Sequence, residues 1–305
     1  MVHKKGVVVR STGSWYTVLT TDNETVECKI KGRFRIKGLR TTNPVAVGDK
    51  VEIEMAPNGD AVITDIHERK NYIIRKATKL SKATHIIASN LDQAVVIVSL
   101  KKPRTSTGFI DRFLTTAEAY HIPASLVFNK FDIYDDKTKE QLEYYVNVYK
   151  GLGYHSIITS VPGHKNLSAF KSLLKGKVSL LTGHSGVGKS ALINAVDPSL
   201  NLKEGTISEF HEKGRHTTTF AEMFTLVFGG YIIDTPGIKE FGLVEFEKEE
   251  LGQRFPEMRL RMQDCRFNNC LHVDEPGCSV LKALNEGKIA EFRYVNYLNM
   301  LQNLI

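Results

Sequence analysis

The sequence predicts a multidomain α/β chain, and three observations carry that prediction. Short strands crowd the first seventy or so residues, apolar strands alternate with helical runs through the middle, and cysteines and a histidine cluster near the C-terminus. The length of 305 residues suits two or three domains at about 150 residues each. A composition of 42% hydrophobic and 25% charged residues excludes wholesale disorder. No apolar run nears the ~18 residues of a membrane span, and Val7–Val9 is too short for a secretory signal. Four cysteines are too few for a disulfide scaffold, so the expected setting is the cytoplasm. A net charge of +7 hints at a polyanionic partner.

Residues 1–70 break into Gly6–Arg10, Trp15–Leu19, Val26–Ile36, Lys50–Met55 and Ala61–Ile66, divided by turns such as Thr12-Gly13-Ser14 and Pro57-Asn58-Gly59-Asp60. Five short strands fit an OB-type barrel. Over 71–240 the runs Ala94–Leu100, Ser125–Phe128, Ser156–Thr159, Val178–Leu181 and Tyr231–Ile233 alternate with helical Gly108–Tyr120 and Lys137–Leu152. That rhythm predicts a sheet with helices on both faces. Residues 241–305 carry the Cys/His cluster and a helix expected over Gly287–Leu304.

Val178–Thr182 runs as a strand into Gly183, His184, Ser185, Gly186, Val187, Gly188, Lys189 and Ser190, and Ala191–Val196 continues as a helix. This is G-x-x-x-x-G-K-S in the strand–loop–helix context that a phosphate loop requires. Its glycines let backbone amides approach phosphate oxygens, Lys189 is placed to reach the β- and γ-phosphates, and Ser190 is a magnesium ligand. Ala191 belongs to the same nucleotide-contacting turn.

Asn129-Lys130-Phe131-Asp132 closes an apolar strand in the N-K-x-D pattern. A buried Asp132 accepts two hydrogen bonds from guanine, for which adenine offers no donor pair. Asn129 braces the loop and the stem of Lys130 lies along the ring. Tyr231–Asp234 ends in D-x-x-G, with Asp234 on magnesium and the Gly237 amide near the γ-phosphate. Between these motifs lies Gly214-Arg215-His216-Thr217-Thr218-Thr219, where one threonine hydroxyl, expected to be that of Thr218, completes the metal shell.

The order is permuted: Asn129 precedes Gly183, whereas the guanine-reading motif ordinarily follows the phosphate loop. No second N-K-x-D occurs after Gly237. The middle region is therefore a circularly permuted P-loop GTPase domain, which is permissible because these loops leave one edge of the sheet.

Cys265, Cys270, His272 and Cys278 form C-x4-C-x-H-x5-C, a full tetrahedral set for one structural zinc ion. Cys28 stands apart as a small buried hydrophobe. In the first region Lys29, Lys31, Arg33, Arg35 and Lys37 alternate with Ile30, Gly32, Phe34 and Ile36. Five cations on one face of a strand read as an RNA phosphate contact surface, in preference to a lysine-guarded edge.

With its motifs in this order the chain resembles the RsgA family of small-ribosomal-subunit-dependent GTPases over nearly its whole length. The matching motifs are N-K-F-D at 129–132, G-H-S-G-V-G-K-S at 183–190, G-R-H-T-T-T at 214–219, D-T-P-G at 234–237 and the Cys/His cluster. The resemblance implies GTP hydrolysis to GDP coupled to late maturation of the small ribosomal subunit, with that subunit and its rRNA as partners. Ser160-Val161 stands where the family often has Ser-Ala in its second base-contacting loop. Ile238 follows Gly237 where Ras-like enzymes carry a water-orienting glutamine. The family shares that change, and His216 resembles its proposed catalytic residue, although packing of the loop is its other reading. The expected chain is a monomer. Two other functions stay open: a permuted GTPase acting elsewhere in RNA metabolism, and a GTP-liganded RNA-binding module with negligible turnover.

Overall fold

The computed structural model describes residues 2–30, 44–57, 59–76, 84–202, 221–234 and 247–303. The strands are β1 (Val2–Ser11), β2 (Tyr16–Thr20), β3 (Thr25–Ile30), β4 (Lys50–Met55), β5 (Ala61–Ile66), β6 (Tyr72–Lys76), β7 (Thr84–Ser89), β8 (Gln93–Val98), β9 (Ala124–Phe128), β10 (His155–Ile158), β11 (Val178–Thr182), β12 (Glu222–Thr225) and β13 (Tyr231–Asp234). The helices are α1 (Thr107–Ala119), α2 (Asp136–Gly151), α3 (Leu167–Leu174), α4 (Lys189–Val196), α5 (Lys248–Leu251), α6 (Pro256–Met262), α7 (Ser279–Asn285) and α8 (Glu291–Gln302).

The first five strands close in the order β1-β2-β3-β5-β4, with β4 pairing back onto β1. Alternation in each strand sends Val8, Tyr16, Val18, Cys28, Val51, Ile53 and Ile63 into one core. Cys28 is fully buried there, and burial pushes its thiol up to about 11. The strand expected over 26–36 is seen as β3, and Lys31–Lys37 lie outside the described residues.

β10-β9-β8-β11-β13 form a parallel sheet, with β12 antiparallel on β13. Adjacent residues of one strand serve opposite layers: Val96 and Val98 pack with Phe113 of α1 and Leu142 of α2, while Val95 and Ile97 pack with Phe170 of α3 and Leu192 of α4. Apolar residues at successive positions are what a sheet covered on both faces requires. The barrel joins this sheet where Arg10 of β1 pairs with Glu222 of β12. The β6–β7 hairpin and β12 were not expected from the sequence.

The C-terminal helices enclose their own core of Leu251, Phe255, Met258, Val280, Tyr297 and Met300. The final helix starts at Glu291, not at Gly287. Gly287 adopts φ +69° and its N–H donates to Leu284 O, while Lys288 N–H donates to Ala283 O. That pair of bonds is a Schellman closure of α7, so the chain must leave the helix before α8 begins.

Candidate functional site

The phosphate-loop residues lie between β11 and α4 as expected. Gly183 has φ +147°, and a Cβ there would stand 2.2 Å from Ile97 O on the neighbouring strand. Gly188 has φ +93°, and a Cβ there would stand 2.5 Å from Asn129 Nδ2. Only glycine allows either approach.

That second neighbour links two motifs separated by 54 positions in the chain. Asn129 leaves the end of β9 and is buried; its Nδ2 donates to Val187 O at 2.9 Å and its Oδ1 accepts from Thr159 Oγ1 at 3.0 Å. The structure thus brings the N-K-F-D turn onto the phosphate loop, through the side chain expected to brace it. Lys130 takes a left-handed backbone (φ +65°) and donates to Lys102 O at 2.5 Å. Ser160, buried, donates from Oγ to Asp132 Oδ1 at 2.6 Å. Asp132 itself is exposed, which corrects the expectation of a buried carboxylate. It sits on a single 3-10 turn, and among the described residues Ser160 fixes one of its oxygens.

Lys189 is buried and folded back, with Nζ 2.6 Å from Gly183 O and 3.1 Å from His184 O. Burial lowers its ammonium to about 8, against an opposing effect of Asp234. Ser190 and Asp234 are both buried at the ends of neighbouring elements, α4 and β13. His184 packs against Phe109 of α1, with ring centroids 4.1 Å apart and the rings tilted by 35°. His216, Thr217–Thr219, Gly237 and Ile238 lie outside the described residues.

The second cluster is at the other end of the chain. The ligand atoms of Cys265, Cys270, His272 and Cys278 all lie within 4.8 Å of one another. Cys265 Sγ is 4.0 Å from Cys278 Sγ and 3.7 Å from His272 Nδ1, and Nδ1 is 3.4 Å from Cys278 Sγ. A tetrahedral zinc ion with bonds of about 2.3 Å to sulfur needs edges of about 3.8 Å, so the four residues fit it. Burial pushes the Cys270 thiol up to about 12, so a divalent cation is what would hold the thiolate state here. Around them Glu275 accepts from the N–H groups of Leu271 (2.6 Å) and Val273 (2.8 Å), shaping the loop.

On the barrel, Lys29 is exposed as expected, with Cys28 beneath it and Ile30 half-buried. Its ammonium lies 4.4 Å from the ring centroid of Trp15, which is 45% exposed. Sequence reasoning passed over Trp15; its signal was an aromatic residue directly after the Gly13-Ser14 turn. Arg33 and Arg35 lie outside the described residues, as do Lys31 and Lys37.

The family model described as the RsgA GTPase matches residues 66–244, and that of the RsgA N-terminal domain matches residues 5–63. The small ribosomal subunit biogenesis GTPase RsgA 2 of Bacteroides thetaiotaomicron is 52% identical over 299 residues, covering 98% of this chain and 96% of the relative. The small ribosomal subunit biogenesis GTPase RsgA of Flavobacterium johnsoniae is 51% identical, covering 97% and 92%. Among solved structures, YjeQ from Thermotoga maritima superposes with a TM-score of 0.80 at 36% identity, covering 99% of each chain. YloQ, a circularly permuted GTPase, gives 0.75 at 28% identity, covering 99% and 95%. Permuted motif order, barrel, phosphate loop and Cys/His cluster agree with these matches, and the chain belongs to the RsgA GTPase family.

Proposed function

We propose that this chain hydrolyses GTP to GDP at the Gly183–Ser190 loop and couples the reaction to late maturation of the small ribosomal subunit. The observation that carries the reading is the Asn129–Val187 bond, which holds a guanine-type turn against a phosphate loop. The relatives' names supply the subunit as partner. The proposal extends to a cytoplasmic monomer divided at 1–70, 71–240 and 241–305.

In this reading Asp132 reads the guanine edge while Ser160 orients its carboxylate, and Lys130 lies along the base. Amides of residues 183–188 and the Lys189 ammonium stabilise phosphate charge, and Ala191 completes the turn. Lys189 must give up its bonds to Gly183 O and His184 O to do so, exchanging two carbonyls for an anion. Magnesium, when bound, neutralises charge on the transferred group, and Ser190, Thr218 and Asp234 would hold it. Zinc at Cys265, Cys270, His272 and Cys278 is structural, since all four positions of a tetrahedron are taken by protein. Ile238 has no group to orient water, so a partner is needed to complete the site to which His216 and the 217–219 threonines belong. The barrel strand bearing Lys29 would dock on rRNA phosphates.

Single-turnover GTP hydrolysis with and without small ribosomal subunits tests the reading. Stimulation by roughly 10³ to 10⁵ is expected, as completing such sites supplies in other GTPases. The stimulation should vanish in His216→Ala with GTP affinity kept. A wild-type chain that subunits do not stimulate would refute the coupled mechanism.

A further inference from the structure

The described part of the C-terminal segment meets the nucleotide sheet through a buried charge cluster. Arg293 of α8, 1% exposed, places Nη1 2.6 Å from Asp111 Oδ1 of α1. Its Nε and Nη2 reach the two oxygens of Glu257 of α6 at 2.7 and 3.1 Å. Asn296, one turn along α8, donates to Asp111 Oδ2 at 2.6 Å, and Tyr149 of α2 donates to Asp111 Oδ1 at 2.8 Å. Asp111 and Glu257 are 0% and 4% exposed. Three charges taken out of water are tolerable only while every one of these bonds is made. The cluster therefore fixes α8 on α1 far more narrowly than apolar packing would.

Two helices of this junction, α8 and α1, each also touch a functional element. Tyr294 and Tyr297 of α8 donate to the backbone carbonyls of His272 (2.7 Å) and Leu271 (2.6 Å), at the heart of the metal knuckle. The first turn of α1 carries Phe109, whose ring packs against His184 of the phosphate loop. Gly108 beside it leaves only 3.3 Å between a would-be Cβ and Asn296 Oδ1, so α8 also presses on that turn.

We propose that α8, through Arg293 and Asn296 on Asp111, couples metal occupancy of the Cys265–Cys278 knuckle to nucleotide affinity at the phosphate loop; this rests on that loop being the nucleotide site. Arg293, Asn296 and Asp111 are positioning residues, since they act on the nucleotide only through α1. The knuckle contains no strand; Glu275 holds the Leu271 and Val273 N–H groups, and a metal ion on Cys270 and His272 would fix the same stretch, with its two carbonyls, from the other side. Freeing them releases two anchors of α8, and α8 in turn holds the turn that carries Phe109. Such linkage is reciprocal.

The test uses the full chain. GDP affinity is measured by calorimetry in the zinc-loaded form and after zinc extraction, and zinc affinity by chelator competition with and without GDP. Zinc removal should weaken GDP by about 5- to 150-fold, and GDP should tighten zinc by the same factor. In Asn296→Ala, and in Arg293→Lys, which keeps the charge but loses the fork, both factors should fall together toward one. Equal zinc affinity with and without GDP in the wild-type chain overturns the proposal, and that arm needs no metal-free protein. Undiminished coupling in both variants overturns the assignment to α8. A chain that binds no GDP in any form refutes the nucleotide reading itself, whereas GDP binding indifferent to zinc refutes only the coupling.

Discussion

The nucleotide corner and the metal knuckle hold their side chains by different means. Loops 129–132, 160–163 and 183–188 leave the ends of parallel strands, so the hydrogen-bonded ladder fixes their backbones before any ligand arrives. Cys265–Cys278 lies between α6 and α7 with no strand, held by Glu275 and two tyrosines. A site on a ladder carries its own geometry; a site between short helices takes most of its geometry from the cation. Burial lowers the Lys189 ammonium at the corner and raises the Cys270 and Cys278 thiols at the knuckle, whereas at Cys265 burial is outweighed by bonds from Ser279 and Val280.

The largest expected effect breaks the comparison at the knuckle. Structural zinc sites contribute on the order of 10 kcal/mol of apparent binding energy. Chelation, or Cys270→Ser, should strip hydrogen-exchange protection from α6 to α8 first while β8, β9 and β11 keep theirs. Elemental analysis should return one zinc per chain beforehand. Simultaneous loss of protection in both regions would mean that the sheet is no more self-sufficient than the knuckle.

Next in size is Asp132→Asn. GTP affinity should fall by roughly 10²- to 10⁴-fold, with preference moving toward xanthine nucleotides, because a site built to accept from guanine then presents a donor. Since Asp132 is exposed, thermal stability should change by less than about 0.5 kcal/mol. The asparagine amide oxygen can still accept from Ser160 Oγ, so the one described bond of Asp132 is kept.

Lys189→Met sharpens the contrast from the other direction. The buried ammonium is lowered from 10.5 to about 8, so at pH 7 it opposes folding of the nucleotide-free chain. Replacing it should stabilise that form by roughly 1–3 kcal/mol while nearly abolishing GTP binding. Between pH 8 and 10.5 the unfolded chain binds more protons at this group than the folded chain. Wild-type stability therefore gains with rising pH in that window, and its deficit against Lys189→Met should narrow there. Denaturant melts at pH 7 and pH 10 measure this, and a constant difference would count against a lowered lysine.

The smallest effect concerns the barrel. Trp15 is the one tryptophan of the chain, so its fluorescence reports that face directly. Single-stranded RNA should quench it, and Trp15→Ala should cost about 1 kcal/mol of RNA affinity with GTP affinity unchanged. Unquenched emission at saturating RNA would restrict the pair with Lys29 to local support of the hairpin.

Legibility followed chemistry. Gly183, Gly188, Lys189, Asn129 and Asp132 could be read from sequence because phosphate and guanine each demand particular residue types at fixed spacing. The metal ligands were legible for the same reason. Asp111, Glu257 and Arg293 were not, because they are 182 positions apart at the extremes and each looks like an ordinary charged helix residue. Only the tertiary fold shows that water never reaches them. The start of α8 was misread because Gly287 can begin or end a helix pattern, and the Schellman bonds that decide it are backbone bonds. Asp132 was expected to be buried because the motif implies a covered base edge; the protein alone does not cover it.

The permuted strand order also has a consequence for synthesis on the ribosome. β8, β9 and β10 emerge as a contiguous parallel block, whose inner edge at β8 is later covered by β11. Until residue 178 has been translated, the Gln93–Val98 edge offers unpaired amides and fully buried-type side chains to any neighbouring nascent chain. A released fragment ending at residue 174 is accordingly expected to bind an apolar dye, or a holdase, that the full chain does not. For this topology, chaperone demand is concentrated in the interval between the guanine-reading motif and the phosphate loop.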